Sequence, residues 1–416
     1  MELDEHLFRR ESARMIAALT RIFGVHNLAL AEDVVQDAFC RALEVWKVRG
    51  VPQNPSAWLM ATAKNRALDV IRRERTASTF APEVSRLFDS EWTLAPVVAE
   101  AFATEIIRDE QLRMMFSCCD PRLNEDVQIA LVLNILCGFG AQEIAGAFLT
   151  GRAAVEKRIA RGKASLATSR RLFDLTDGDV SARLPVVQRA LYLLFNEGYH
   201  SVSANAVVRT DLCREAIRLT ELLLGDARTA TPATGALAAL MCLHAARLPG
   251  RLDGAGHLSA LADQDRSTWD AQLIAHGLLL LERSARGIEV STYHLEAAIA
   301  AAHVQSPTLD DTDWDTIIEL YDRLTALDPS PVVALNRAVA IAQRDGEERG
   351  LDALRAIEGS DRLADYPFYR AAFAELELRR GDRDRARAHF EAALGLARNA
   401  AERQFFEKRL RSCEAT

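Results

Sequence analysis

Apolar residues recur at three- and four-residue spacing along most of this chain, and breaker-rich intervals divide the pattern into helical segments. Residues 6–24 read as a first helix and 28–47 as a second. In the second, Val35, Ala38, Phe39, Ala42 and Trp46 fall on one inward stripe. The run 48–56 (VRGVPQNPS) is a loop; Asn54 is placed to cap the next helix and Pro55 suits its first turn. That helix covers about 56–75, with Leu59, Ala63, Ala67 and Val70 inward. Lys64, Arg72, Arg73 and Arg75 give it a basic end. Pro82 and Pro96 interrupt the periodicity of 78–108, where a tether with some local helix is expected. Helical patterning returns over 109–172, and Gly178 with its neighbouring Asp residues marks a further boundary.

From about residue 183 to 416 the helical pattern is nearly continuous, broken by short Gly, Pro and Asp turns. Ala374, Gly381, Ala386, Phe390, Ala393 and Leu394 fall at tetratricopeptide spacing: small residues let two antiparallel helices approach and Phe390 fills the groove. A weaker copy spans 331–358, with Asn336-Arg337-Ala338 and Gly346. Runs of β-branched residues are scarce, so the expected fold class is all-α.

At 416 residues the chain is too long for one core, and a prior of roughly 150 residues per domain gives about two to four. The net charge of −8 excludes a wholly basic nucleic-acid binder, but it is unevenly spread. Residues 1–171 hold 23 Lys and Arg against 22 Asp and Glu; the remainder hold 28 against 37. Any DNA contact must therefore come from local basic faces. The seven cysteines, Cys40, Cys118, Cys119, Cys137, Cys213, Cys242 and Cys413, form no CxxC pair and have no accompanying His cluster. Reduced thiols acting as small apolar residues are expected, with no metal and no cofactor. The acidic start lacks a signal-peptide pattern and no apolar run approaches the ~20 residues of a membrane span, so a cytoplasmic protein is expected.

Ala141–Lys163 has the pattern of a helix-turn-helix. Ile144, Ala145 and Phe148 point inward from a short helix, Leu149-Thr150-Gly151 makes the turn, and Val155 and Ile159 line a second helix from Arg152. Arg152, Glu156, Lys157, Arg161 and Lys163 face outward, and Arg158 lies nearer the spine. Between Arg152 and Arg171 there are seven basic residues and one acid, as a helix entering the major groove requires. The competing reading is an ordinary hairpin with a solvated basic face.

Two N-terminal segments separate the possible regulators. Ala31-Glu32-Asp33-Val34-Val35-Gln36-Asp37-Ala38-Phe39 resembles the polymerase-binding helix of sigma region two, and Trp58-Leu59…Ala63-Lys64-Asn65…Asp69…Arg72-Arg73 resembles the helix that engages the minus-ten element. With the helix-turn-helix in the place of region four, residues 1–172 resemble the extracytoplasmic-function group of the sigma-70 family. The remainder resembles a subgroup with a long tetratricopeptide-like extension, opening at Ala190–Tyr199 and Asp211–Ala216. Gly162 departs from the more usual Ala; it lowers helix propensity by roughly 1 kcal/mol, so fraying of the recognition helix is expected.

The resemblance implies a region-two domain at 1–77, a linker at 78–108, region four at 109–172 and a helical extension at 180–416. It implies core RNA polymerase as partner for Asp33, Gln36 and Asp37. Promoter DNA is the implied partner of Asn65, Arg72 and Arg73 at the minus-ten element, and of Arg152, Lys157, Arg158 and Arg161 at the minus-thirty-five element. The loop Val48–Ser56 would hold an unstacked base; Trp58 reads as core. The extension would regulate the sigma core through a partner protein or an intramolecular dock, and no membrane is involved. Two other readings stay open: a helix-turn-helix regulator with a helical sensor, and an enzyme using Asn196-Glu197-Gly198-Tyr199-His200. Against the enzyme, His244, His257 and His276 have no ligand spacing and no catalytic residue is assigned.

Overall fold

A computed structural model describes residues 5–23, 27–73, 104–148, 150–168, 176–200, 208–253 and 258–414. Among them the regular structure is helical, with one isolated β-bridge between Leu252 and Leu258. The chain divides into two compact units, 1–194 with 221–229, and 195–220 with 230–416.

The first unit opens with α1 (Glu5–Phe23), α2 (Leu28–Arg49) and α3 (Pro55–Arg73), which pack on one another. Met15, Leu19 and Phe23 meet the α2 stripe Val34, Val35, Ala38, Ala42 and Trp46, and Leu59, Ala63 and Ala67 of α3. Phe39 and Val70, expected inside, are only half-buried, while Val34 takes a core place. The turn between α2 and α3 follows its local chemistry. Gly50 has φ 81°, which favours glycine, and Asn54 Oδ1 accepts from the Ala57 amide at 3.0 Å. Trp58, expected in the core, is half-buried; it stands edge-on to the buried Trp46, ring centroids 5.4 Å apart.

Helix α4 (Thr104–Cys118) packs on α1; it begins inside the expected linker 78–108, of which 78–103 lie outside the described residues. Helix α5 (Glu125–Ile135), capped by Asn124, carries α6 (Ala141–Ala147) and α7 (Arg152–Ala167). Helix α8 (Asp177–Tyr199) starts at a capping box in which Thr176 and Asp179 bond reciprocally, the hydroxyl and carboxylate 2.7 Å apart.

In the second unit, α10 (Pro232–Ala245) follows α9 (Thr210–Gly225) and is buried on nearly every side, as its almost wholly apolar sequence dictates. It packs on α11 (Ala271–Ser284) and α12 (Thr292–Gln305). Then α13 (Trp314–Leu327), α14 (Pro331–Asp345), α15 (Glu347–Arg355), α16 (Pro367–Arg379), α17 (Arg383–Gly395) and α18 (Ala400–Glu414) each pack on the next. Gly346 and Gly381, both at φ 92°, close the α14–α15 and α16–α17 turns. Ala374, Ala386, Phe390 and Ala393 are buried together with Phe406, joining α16, α17 and α18.

Candidate polymerase and promoter interface

Burial of the α2 stripe turns Asp33, Gln36 and Asp37 outward at three- and four-residue spacing, and all three are exposed. Asp37 is paired across the helices: Arg66 of α3 donates from Nε at 2.8 Å and approaches from Nη2 at 2.7 Å. Asn65, exposed, stands beside Arg66. These residues share a cleft of about 590 Å³ with Arg41, Glu44 and Asp69. The sequence suggested separate polymerase and DNA surfaces; the fold brings Asp37 and Asn65 onto one cleft wall. Arg66 and Arg41 were missed. Their signal was a basic residue on each helix one turn or less from a candidate acid or amide.

Arg72 and Arg73 close α3, but their side chains, and the whole of Arg75, lie outside the described residues. At the end of α2, which runs to Arg49 into the expected loop, Leu43 and Val48 turn apolar surface to solvent, as does Val51 in the loop beyond. Isolated exposed apolar residues are ordinary, yet here three occur within nine positions.

In the second candidate site, α6 and α7 have the expected inward residues: Ile144, Ala145 and Val155 are buried, whereas Phe148 and Ile159 are half-buried. Lys157 and Arg161 are exposed without a partner among the described residues. Arg152 is exposed and bonds Glu156 at 2.7 Å. Arg158 is held differently. It is half-buried, 3.2 Å from Asp126 of α5, with its guanidinium 5.8 Å from the Phe148 ring centre. Lys163 also turns back into the protein, meeting Glu32 of α2 at 2.6 Å.

Gly162 corrects an expectation. The helix does not fray there; α7 continues to Ala167. A Cβ on Gly162 would lie 2.7–2.8 Å from the Leu131 side chain, so glycine permits the close approach of α7 to α5. Close packing supports the helix where intrinsic propensity weakens it.

The cysteines are free thiols, all buried except Cys40. Burial pushes Cys119 and Cys213 up to about 12, which makes them poor nucleophiles. No group of three or more His, Cys, Asp or Glu residues able to hold a metal occurs among the described residues. None of their helices is long and apolar enough to cross a membrane. At the rival site, Gly198 packs tightly on Cys213 and the Arg209 carbonyl, which gives the glycine a packing role.

A helical head with an outward acidic-and-amide face is thus followed on the same chain by an outward basic helix. Residues 7–77 match the family described as Sigma-70 region 2, and residues 183–285 match a family of unknown function, DUF6596. An uncharacterised protein of Rhizobium meliloti (strain 1021) is 38% identical over 398 residues, covering 95% of this chain and 92% of that protein. The chain belongs to the sigma-70 family and carries a helical C-terminal extension.

Proposed function

We propose that the chain is an extracytoplasmic-function sigma factor that recruits core RNA polymerase to promoters under control of its C-terminal extension. One observation supports this above the others. The region-two match covers a three-helix head whose Asp33, Gln36, Asp37 and Asn65 are all exposed, on the same chain as a helix with outward Arg152, Lys157 and Arg161. The exposed carboxylates would steer and orient the encounter with a basic surface of the polymerase. Asn65, with Arg72 and Arg73 at the end of the same helix, would engage the minus-ten element. Leu43, Val48 and Val51 offer apolar surface to a base leaving the stack.

Arg152, Lys157 and Arg161 would reach the minus-thirty-five element. Arg158, tied to Asp126, would act from the rim or position the helix. The extension, 180–416, would regulate the sigma core through a partner or an internal dock, using stacked helix pairs of tetratricopeptide type. A helix-turn-helix regulator acting without polymerase would have no use for the region-two head.

Run-off transcription with purified core polymerase and the full chain tests the proposal. Transcripts starting at defined sites are expected only when the chain is present. Failure to direct any start, under conditions where a relative does so, would refute it.

A further inference from the structure

Charged and polar groups from five parts of the second unit converge on one place. Tyr199 ends α8, His244 lies in the last turn of α10, and Arg247 and Arg251 follow it. Gln264, Arg266 and Trp269 come from the turns before α11, and His303 from the last turn of α12. Arg251 lies over the Tyr199 ring at 4.2 Å. Arg247 and Arg266 lie 5.5 Å and 5.1 Å from the centre of the Trp269 indole. The indole is fixed in turn against Gly250, where a Cβ would stand 2.9 Å from its nitrogen.

This cluster is unbalanced in two ways. Eleven buried side-chain nitrogens and oxygens lack a hydrogen-bond partner among the described residues, and eight of them are here: on Tyr199, His244, Arg247, Arg251, Gln264, Arg266, Trp269 and His303. Buried polar groups are normally paired, so such a concentration needs a cause. Second, the positive charge is not neutralised. Among the described residues no carboxylate comes within ion-pair distance of Arg247, Arg251 or Arg266, and Arg247 is only 7% exposed. Arg266 spends one nitrogen on the His303 and Ser306 carbonyls, at 2.8 and 2.5 Å, and leaves the other buried and unpaired. Glu402 is committed to Arg398, and Asp311 acts on Arg266 only from beyond contact. Residues 201–207 and 254–257 contain no Asp or Glu.

Aromatic faces hold the guanidiniums in place without cancelling their charge. Water would satisfy orphaned donors but would leave three cations together around a buried floor. An oxyanion offsets the charge and accepts from the orphaned donors, since each of its oxygens takes charge-assisted bonds from planar guanidinium forks; Gln264 Oε1, itself an acceptor, is not served by it. The rim residues His244, Arg251, Arg266 and His303 are partly exposed while Arg247, Tyr199, Gln264 and Trp269 are buried, so the site has a floor and an open side.

We propose that the C-terminal unit contains a binding site for a small oxyanion, a phosphate or carboxylate, with Arg247 on its floor and Arg251 and Arg266 at its sides. The site stands independently of the promoter reading above, because binding is measured without polymerase or DNA.

Thermal unfolding of the full chain is the test, with sodium phosphate, citrate or benzoate exchanged against sodium chloride at constant ionic strength. At least one oxyanion is expected to raise the unfolding temperature where chloride does not. The phosphate and carboxylate arms distinguish the two sources. Arg247→Gln and Arg266→Gln should each weaken that binding by about tenfold or more, the worth of one charge-assisted bond. Arg286→Gln, in the exposed turn after α11, should change nothing. Without anion, Arg247→Gln should unfold no earlier than the parent, since it removes an uncompensated charge. No oxyanion effect, an effect that survives Arg247→Gln, or a variant less stable than the parent without anion would each overturn the site. Stabilisation by an acidic peptide alone would also overturn it, in favour of a protein-docking surface.

Discussion

At the scale of single residues, Gly162 shows how packing reverses a local preference. Propensity alone favours Ala over Gly by about 1 kcal/mol within a helix. Here the added methyl meets the buried Leu131 side chain, which must shift to admit it. Overpacking of this kind costs about 1–3 kcal/mol, so Gly162→Ala is expected to lower stability by about 0–2 kcal/mol net. Urea unfolding of the full chain measures it; a stability gain would show that Leu131 moves aside freely. Asp33 and Asp37 differ just as sharply although both are exposed. Asp33→Lys reverses one projecting charge, whereas Asp37→Lys also confronts Arg66 with a like charge. Asp33→Lys should therefore weaken core polymerase binding with unchanged unfolding, and Asp37→Lys should weaken both. Equal core binding by Asp33→Lys and the parent would remove that face from the interface.

At the scale of elements, the helices most legible in the sequence were those with a strong local signal at each end. Asn54 and Pro55 marked the start of α3, Gly151 the start of α7, and Gly346 and Gly381 the turns of the C-terminal hairpins. The shared α2–α3 cleft was less legible, because Asp37 and Arg66 meet only after two separate stripes pack. The basic cluster of the second unit was not legible at all. Each contributor reads alone as an ordinary helix-end residue, and only tertiary packing brings α8, α10, α12 and the turns before α11 together. His244 has no metal-ligand spacing in the sequence, and its neighbours in the fold are guanidiniums. Desolvation, then Arg247 and Arg251, push His244 from 6.5 down to about 3, and desolvation with Arg247 and Arg266 takes His303 to about 4. The sign follows directly. Between pH 6.5 and those values the unfolded chain binds protons that the folded chain refuses, so stability falls as pH is lowered below 6.5. Above 6.5 these groups contribute no pH dependence. At about pH 5.5 the loss should be roughly 1.4 kcal/mol per histidine. His244→Gln and His303→Gln should each flatten the profile by that amount in phosphate-free urea unfolding. Profiles that coincide with the parent would mean that the imidazoles are free to charge in the folded state.

At the scale of the first unit, the two surfaces proposed to grip a promoter are held together by the protein itself. Lys163 of α7 pairs with Glu32 of α2, and α4 packs on α1. Minus-ten and minus-thirty-five elements are by their names about 25 base pairs apart, or about 85 Å of B-form duplex. A helix of 16 residues spans only about 24 Å, so α7 cannot reach one element while tied to the helix beside the other. Thirty residues separate Arg73 from Thr104, a chain length whose upper bound is about 100 Å. On the proposed reading, promoter binding requires this arrangement to open, with core polymerase and DNA supplying the energy to break the Glu32–Lys163 pair and the α1–α4 packing. Locking it shut is the direct test. Glu32→Cys with Lys163→Cys, in a Cys40→Ser background that removes the exposed native thiol, can be joined by a short thiol-to-thiol crosslinker. The joined protein should unfold at the parent's temperature or above and fail in run-off transcription, and reversing a cleavable crosslinker should restore the transcripts. Full activity of the joined chain would mean that the two surfaces never separate, and that the basic helix does not read the distal promoter element.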